Sequence, residues 1–203
     1  MKLFVLVAIT MAAFATNSVL NRIGVAHYGM DSMAFAAIRV IAGAATLWAL
    51  VLARQGARPV IWNRQRLAGA TALAVYMIGF SWAYISLGAG LGALILFGVL
   101  QVAIFGWAVW EQQKVPVLRW LGAVIALIGL CVLLWPTGAA AVPLGGTIAM
   151  IAAAVGWAVY TLLGRAETDA LGATAVNFLL CVPFWWAARS RWRVVGASRQ
   201  WAR

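Results

Sequence analysis

Ionisable chemistry is scarce in this chain. Its 203 residues include four acids, one histidine and two cysteines. The lone His27 has no Cys, Glu or second His nearby, so a histidine metal site has no ligands to draw on. No apolar segment holds paired carboxylates, and no Ser/His/Asp set can be assembled. These absences argue against an enzyme. Cys131 and Cys181 both lie inside apolar stretches, where they read as small packing residues rather than a disulfide. Gly88-Ala89-Gly90-Leu91-Gly92 lacks the preceding strand and the Lys of a phosphate-binding loop. No metal or cofactor is expected.

Apolar residues are abundant, at 66% against 9% charged. A soluble domain needs far more polar surface than that. Groups that bury their backbone in lipid must satisfy it internally, as helices or as a closed barrel. Runs such as LGALILFGVL do not alternate as barrel strands do. The expected class is an all-α polytopic membrane protein. The net charge of +11 suggests nucleic acid at first sight. Its basic residues, however, sit between apolar segments, where they orient a membrane protein. The expected surroundings are a lipid bilayer, with no nucleic acid.

The centre of the pattern is residues 84–136. No acid or base occurs from Leu67 to Trp110 or from Trp120 to Gly164. Between them lies a charged turn holding Glu111, Lys114 and Arg119. A helix rises about 1.5 Å per residue and about 20 apolar residues cross the hydrocarbon core. Each run is therefore long enough for two crossings. Seven hydrophobic segments result, near 3–21, 33–52, 67–86, 91–110, 118–135, 145–164 and 171–187. Asp31 or Ser32 is the expected cap of the second. Met1-Lys2 and the following apolar run also fit a signal peptide, with Ala13-Phe14-Ala15 as its cleavage site.

With the N-terminus placed in the cytoplasm, Lys2, Arg54, Arg58, Arg64, Arg66, Lys114, Arg119 and Arg165 fall on one side, and Arg22 alone falls in the first three opposite connections. That asymmetry sets the orientation. The tail breaks it. After a seventh crossing, Arg189, Arg191, Arg193, Arg199 and Arg203 would emerge outside. Either the seventh segment does not cross, or the tail after about residue 183 is not native to the fold; the compositional change favours the second.

A shift of 143 residues lays Phe14, Ala15, Ser18, Leu20 and Arg22 on Trp157, Ala158, Thr161, Leu163 and Arg165, and Phe35 on Phe178. The register is constant, and it favours a first crossing over a cleaved signal. An odd number of crossings separates the copies, so the second is inverted, as in many secondary transporters.

Three stretches carry a family resemblance. They are FATNSVLNRIG with AFAAIRVIAGAATLWAL (14–50), the run from Phe80 to Leu134 with Glu111, Gly122 and Gly129, and PLGGTIAMIAAAVGWAVYTLLGR (143–165). Together they resemble the EamA-type transporters of the drug/metabolite transporter superfamily. The resemblance covers about residues 5–182 and implies two inverted five-helix repeats. Residues 1–136 would form the first, 143–187 the start of a second, and 188–203 a basic tail. The last three helices would be missing, and Leu100-Gln101-Val102 lacks a mid-helix proline common in that family. The implied function is export of a small metabolite or drug by alternating access, in a bacterial inner membrane. This chain would be a truncated and inactive copy, able to form a homodimer. The other expectation is a membrane-embedded partner subunit with a cytoplasmic basic tail.

Substrate-path candidates follow from polarity inside apolar segments. Arg39 costs about 2.5–3.5 kcal/mol to insert, so it should face a cavity, a partner or the outer interface. In the family it matches a common second-helix arginine. Asn17, Ser18 and Asn21 share one helix face. Gln101 interrupts the fourth segment. Trp157, Tyr160 and Thr161 hold the matching face of the sixth. Trp48, Trp110, Trp120 and Trp135 are expected at the membrane interfaces. Glu111 is expected to pair with Lys114 or Arg119.

Overall fold

The computed structural model describes residues 2–54, 59, 61–134 and 143–183. The described residues are all helical apart from turns. We label the helices α1 (Lys2–Arg22), α2 (Ser32–Ala53), α3 (Arg64–Ala83), α4 (Ala89–Trp110), α5 (Val117–Leu134), α6 (Leu144–Gly164) and α7 (Ala170–Pro183). Among the described residues, four helices are long and apolar enough to cross a membrane: Leu3–His27, Ser32–Ala53, Ala89–Trp110 and Leu144–Gly164. The expectations for Arg58, Trp135, the connection 136–142 and the arginine tail lie outside the described residues.

Local chemistry sets the helix ends. Asp31 caps α2, its carboxylate accepting from the Ala34 N–H at 2.8 Å. Asn63 does the same for α3 through Gln65 N–H at 3.0 Å, which starts that helix before the apolar run. Past α1 the chain widens into a π turn, Ile23–His27. It closes on Gly29, whose φ of 62° suits a residue without a Cβ. The α4–α5 turn is a Schellman closure. Gln113 N–H donates to Ala108 C=O and Gln112 N–H to Val109 C=O, both at 3.0 Å. Gln112 takes the left-handed position with φ 53°. That reversal directs Glu111 to the Gln113 amide at 2.7 Å. Among the described residues no ion pair joins it to Lys114 or Arg119, contrary to expectation.

The α3–α4 turn also differs from its expected place. Tyr84 to Gly88 make the turn, while Gly90 and Gly92 are already helical. Gly92 packs on Tyr84 and Met150, where a Cβ would lie 3.0 Å from the Met150 methyl.

α3 is the central helix, buried along most of its length. It is not among the four spanning candidates, because Arg64, Gln65 and Arg66 open it and small residues make up much of the rest. A helix surrounded by other helices needs small residues for close approach rather than apolar ones for lipid. Its main partner is α6, which runs antiparallel to it. Gln65 reaches the Leu163 carbonyl, Gly156 faces Ala72 and Tyr76, and Gly79 faces Ala149 and Ala153. A Cβ at Gly79 would stand 2.6 Å from the Ala149 carbonyl oxygen, and one at Gly156 2.8 Å from that of Ala72.

Two apolar clusters flank α3. One joins it to α4 and α6 through Phe80, Tyr84, Ile95, Leu96, Met150 and Ala153. The other joins it to α2 and α7 through Ala36, Val40, Leu73, Met77 and Cys181. Tyr76 packs against both. Cys181 is wholly buried there, in keeping with a packing role. α5 is attached through α4, with Phe105 and Trp120 edge to face at 4.6 Å. Trp110 is exposed at the end of α4, whereas Trp48 has its indole nitrogen buried without a hydrogen-bond partner.

Leucine at position 79 should therefore be costly, and leucine at Gly129 should not, since nothing lies within 4 Å there. Overpacking costs about 1–3 kcal/mol. Gly79→Leu is expected to lower the unfolding midpoint in detergent clearly, and Gly129→Leu to leave it unchanged.

Candidate functional site

Arg39 lies two turns into α2, and its guanidinium turns inward rather than toward helix-end carbonyls. Its Cζ stands 5.2 Å from the centroid of the Phe80 ring. Such a contact contributes about 0.5–2 kcal/mol. Its side chain also faces the Tyr76 hydroxyl, which faces Asn17 in turn. Yet one guanidinium nitrogen, Nη1, is buried with no hydrogen-bond partner. A buried donor left unpaired costs about 1–3 kcal/mol, more when charged.

Phe80 belongs to an aromatic cluster that extends from it. Tyr76 and Phe80 lie 5.4 Å apart, Phe80 and Tyr84 4.8 Å, Tyr76 and Trp157 5.1 Å. Trp157 also meets Phe14 at 5.2 Å and Phe97 at 5.8 Å. The rings come from α1, α3, α4 and α6, so the cluster exists only when those helices pack together.

The polar face of α1 borders the same place. Asn17 and Ser18 face Tyr76 and Tyr84. Asn21 is wholly buried and donates from Nδ2 to Ser81 Oγ at 3.4 Å. Its Oδ1 has no partner. The region therefore holds an unpaired cationic donor and an unpaired amide acceptor beside stacked rings. Such a set suits a small ligand carrying an anionic or polar group and an apolar body.

Sequence reasoning brought Asn17, Ser18, Asn21, Arg39 and Trp157 to this region. Gln101 is elsewhere. It is exposed and lines an apolar groove of about 280 Å³ between α4 and α5, with Phe105 and Trp120. It lies six residues beyond buried Ile95, about 240° around the helix, and so faces away. Tyr160 and Thr161 sit nearer the end of α6. They line a separate cavity of about 220 Å³ with Gln65, Arg66, Glu167, Thr174 and Asn177. Asn177 is buried, and its Oδ1 has no partner.

Two ion pairs tie the helix ends together here, one of them from residues that line the cavity. Arg54, just past α2, pairs with both carboxylate oxygens of Asp169. Arg66 of α3 meets Glu167 at 2.9 Å, with both side chains largely covered. These residues, like Tyr76, Phe80, Ser81 and Phe97, were missed from sequence. A signal was present for the pairs: two of only four acids fall within three residues of each other, between α6 and α7. Among the described residues no group of three or more His, Cys, Asp or Glu could hold a metal.

The Arg54 guanidinium holds the Asp169 carboxyl down to about 2, helped by the Gly172 N–H that donates to it at 3.0 Å. Arg54 is raised in return. A depressed carboxylate contributes stability above its unfolded value of 3.8, and loses it as pH falls through the folded value of about 2. Thermal unfolding of the protein should therefore show this contribution above about pH 4 and lose it between about pH 4 and 2. Asp169→Asn should flatten that part of the profile.

No family model matches the chain. No solved structure matches it. A Pseudomonas aeruginosa protein known only as "Uncharacterized protein PA1977" is 41% identical over 179 residues, or 88% of this chain and 61% of that protein. The chain thus spans about three fifths of the length of the relative it matches.

Proposed function

We propose that this chain is the greater part of an EamA-type membrane transporter, embedded in a bacterial inner membrane with its N-terminus in the cytoplasm. The observation that carries the reading is the Arg39 guanidinium over the Phe80 ring, with one buried nitrogen left without a hydrogen-bond partner, at the edge of an aromatic cluster drawn from four helices. A charge at that depth is retained where it faces a ligand path or a partner. The basic helix ends near Arg54 and Arg66 support the orientation.

Arg39 would anchor an anionic group of a small substrate, with Phe80, Tyr76 and Trp157 against its apolar part. Asn17 and Asn21 would complete the polar wall. The ion pairs Arg54–Asp169 and Arg66–Glu167 join the ends of α2 and α3 to the segment after α6. In an alternating-access cycle they would close the cytoplasmic side and part when it opens. The offset of 143 residues gains support from α2 and α7, which its register equates. They pack on each other, with Phe178 against Gly43.

The second reading, a membrane-embedded partner subunit, is favoured by one observation. Nearly the whole first half of α1 is exposed.

The test is thermal stabilisation of the purified protein by a panel of small carboxylates and phosphates with apolar bodies. Loss of a charge-assisted hydrogen bond costs about 1.5–3 kcal/mol, or about tenfold to a hundredfold in affinity. Arg39→Gln is expected to weaken binding by that much, and Arg39→Lys by less. Stabilisation that persists unchanged in Arg39→Gln would remove the anchor role.

A further inference from the structure

The charged turn between α4 and α5, and the groove that begins beside it, have no part in the proposed substrate path. The groove runs from Gly98 to Val109 on α4 and from Trp120 to Leu127 on α5. Its lining is apolar except for the Gln101 amide and the Trp120 indole. Gly106 keeps it open, since no atom lies within 4 Å of the place its Cβ would take. Between Gly98 and Val109 a helix advances about 16 Å, which is about half the thickness of a hydrocarbon core. The groove is therefore one leaflet deep, and it starts at the end of α4 that carries the charged turn. A further membrane helix would need a seat along the whole crossing. A single acyl chain needs only this half.

We infer that this groove is the seat of one anionic phospholipid, with an acyl chain along it and the phosphate at Lys114 and Arg119. The inference rests on the membrane reading within the proposed function, but not on transport. Charge complementarity names the occupant. Lys114 and Arg119 are both exposed, and among the described residues neither enters a salt bridge. The acid of the same turn does not neutralise them, because the Gln113 amide donates to the Glu111 carboxylate. Arg119 precedes Ala123, a groove residue, by about one turn, so it stands over the same side of α5. Basic residues at such a helix end attract anionic headgroups, and their long stems reach headgroup level. Trp120 comes next at the mouth of the groove, 45% exposed. There an indole N–H suits the ester carbonyls of a lipid. Beyond it the lining is hydrocarbon and the Phe105 ring, which meets Trp120 edge to face. Cations, indole and apolar trough thus follow one another in the order of phosphate, ester and tail.

The experiment takes the full chain from membranes in detergent and strips it of lipid. It is then titrated with phosphatidylglycerol or phosphatidylcholine of the same chain length, and bound lipid is read by native mass spectrometry. Phosphatidylglycerol should bind more tightly. Lys114→Gln combined with Arg119→Gln should weaken it by about tenfold to thirtyfold and leave phosphatidylcholine unchanged. Gly106→Leu fills the groove without touching the rest of the chain, and should weaken both lipids. Gly122→Leu, equally open but outside the groove, should weaken neither. Gln101→Leu should leave binding intact or tighter, because a hydrocarbon tail asks for no hydrogen bond. Equal binding of the two lipids would overturn the inference. So would phosphatidylglycerol binding that is unchanged in the double variant or in Gly106→Leu, or that is lost in Gln101→Leu. A dimer that dissociates in Gly106→Leu would also overturn it, by giving the groove to a second copy. A chain recovered only in the soluble fraction would overturn the membrane reading as well. Failure of the Arg39 site is read separately, through Arg39→Gln and the small-ligand panel.

Discussion

The structure depends on how closely α3 and α6 can approach. Without a hydrophobic drive between helices in lipid, association comes from packing and a few polar contacts. Gly79 and Gly156 let each backbone reach the other's carbonyls, and alanines fill most of the remaining seam. Everything that follows is hung on that pair. It holds Tyr76 and Phe80 beside Trp157. It aligns Gln65 and Arg66 with Leu163 and Glu167 at one end. It leaves the opposite side of α3 to receive α2 and α7.

Given that frame, the placement of charge is economical. Arg39 is brought to the aromatic cluster by a helix that contacts α3 on one side only. The ring faces offer it partial compensation, and one donor remains unpaired. The acids behave differently. Asp169 and Glu167 lie at the helix ends, each matched with an arginine from another helix. One end of the bundle is therefore tied by charge, whereas the centre holds charge in reserve.

The helical outline of this architecture was legible in the sequence from its apolar runs. Long charge-free runs could only be helices, Asp31 announced the start of α2, and Arg39 stood out as a charge inside an apolar segment. α3 was harder to delimit, since a helix buried by its neighbours carries no strong apolar signature and its first turn holds two arginines. Gln101 was misplaced for a rotational reason. Its polarity was visible, but not which side of α4 turned toward Ile95 and Leu96. Tyr160 and Thr161 follow Trp157 by about one turn, which is enough to place them on the cavity nearer the end of α6. Tyr76 and Phe80 carry no sequence signal at all, because an aromatic residue in an apolar run looks the same whether it meets lipid or a guanidinium.

The central claim is the antiparallel register of α3 and α6, and disulfide trapping tests it most directly. A Cβ at Gly79 would lie 3.2 Å from that of Ala153, close to the span that a disulfide bridges. Native cysteines would be replaced by alanine, and cysteines introduced at Gly79 and Ala153 oxidised in membranes. The account predicts an intramolecular bond between 79 and 153 and none between 79 and 164. A bond between 79 and 164 without one at 153 would contradict the register, and with it the site that rests on it.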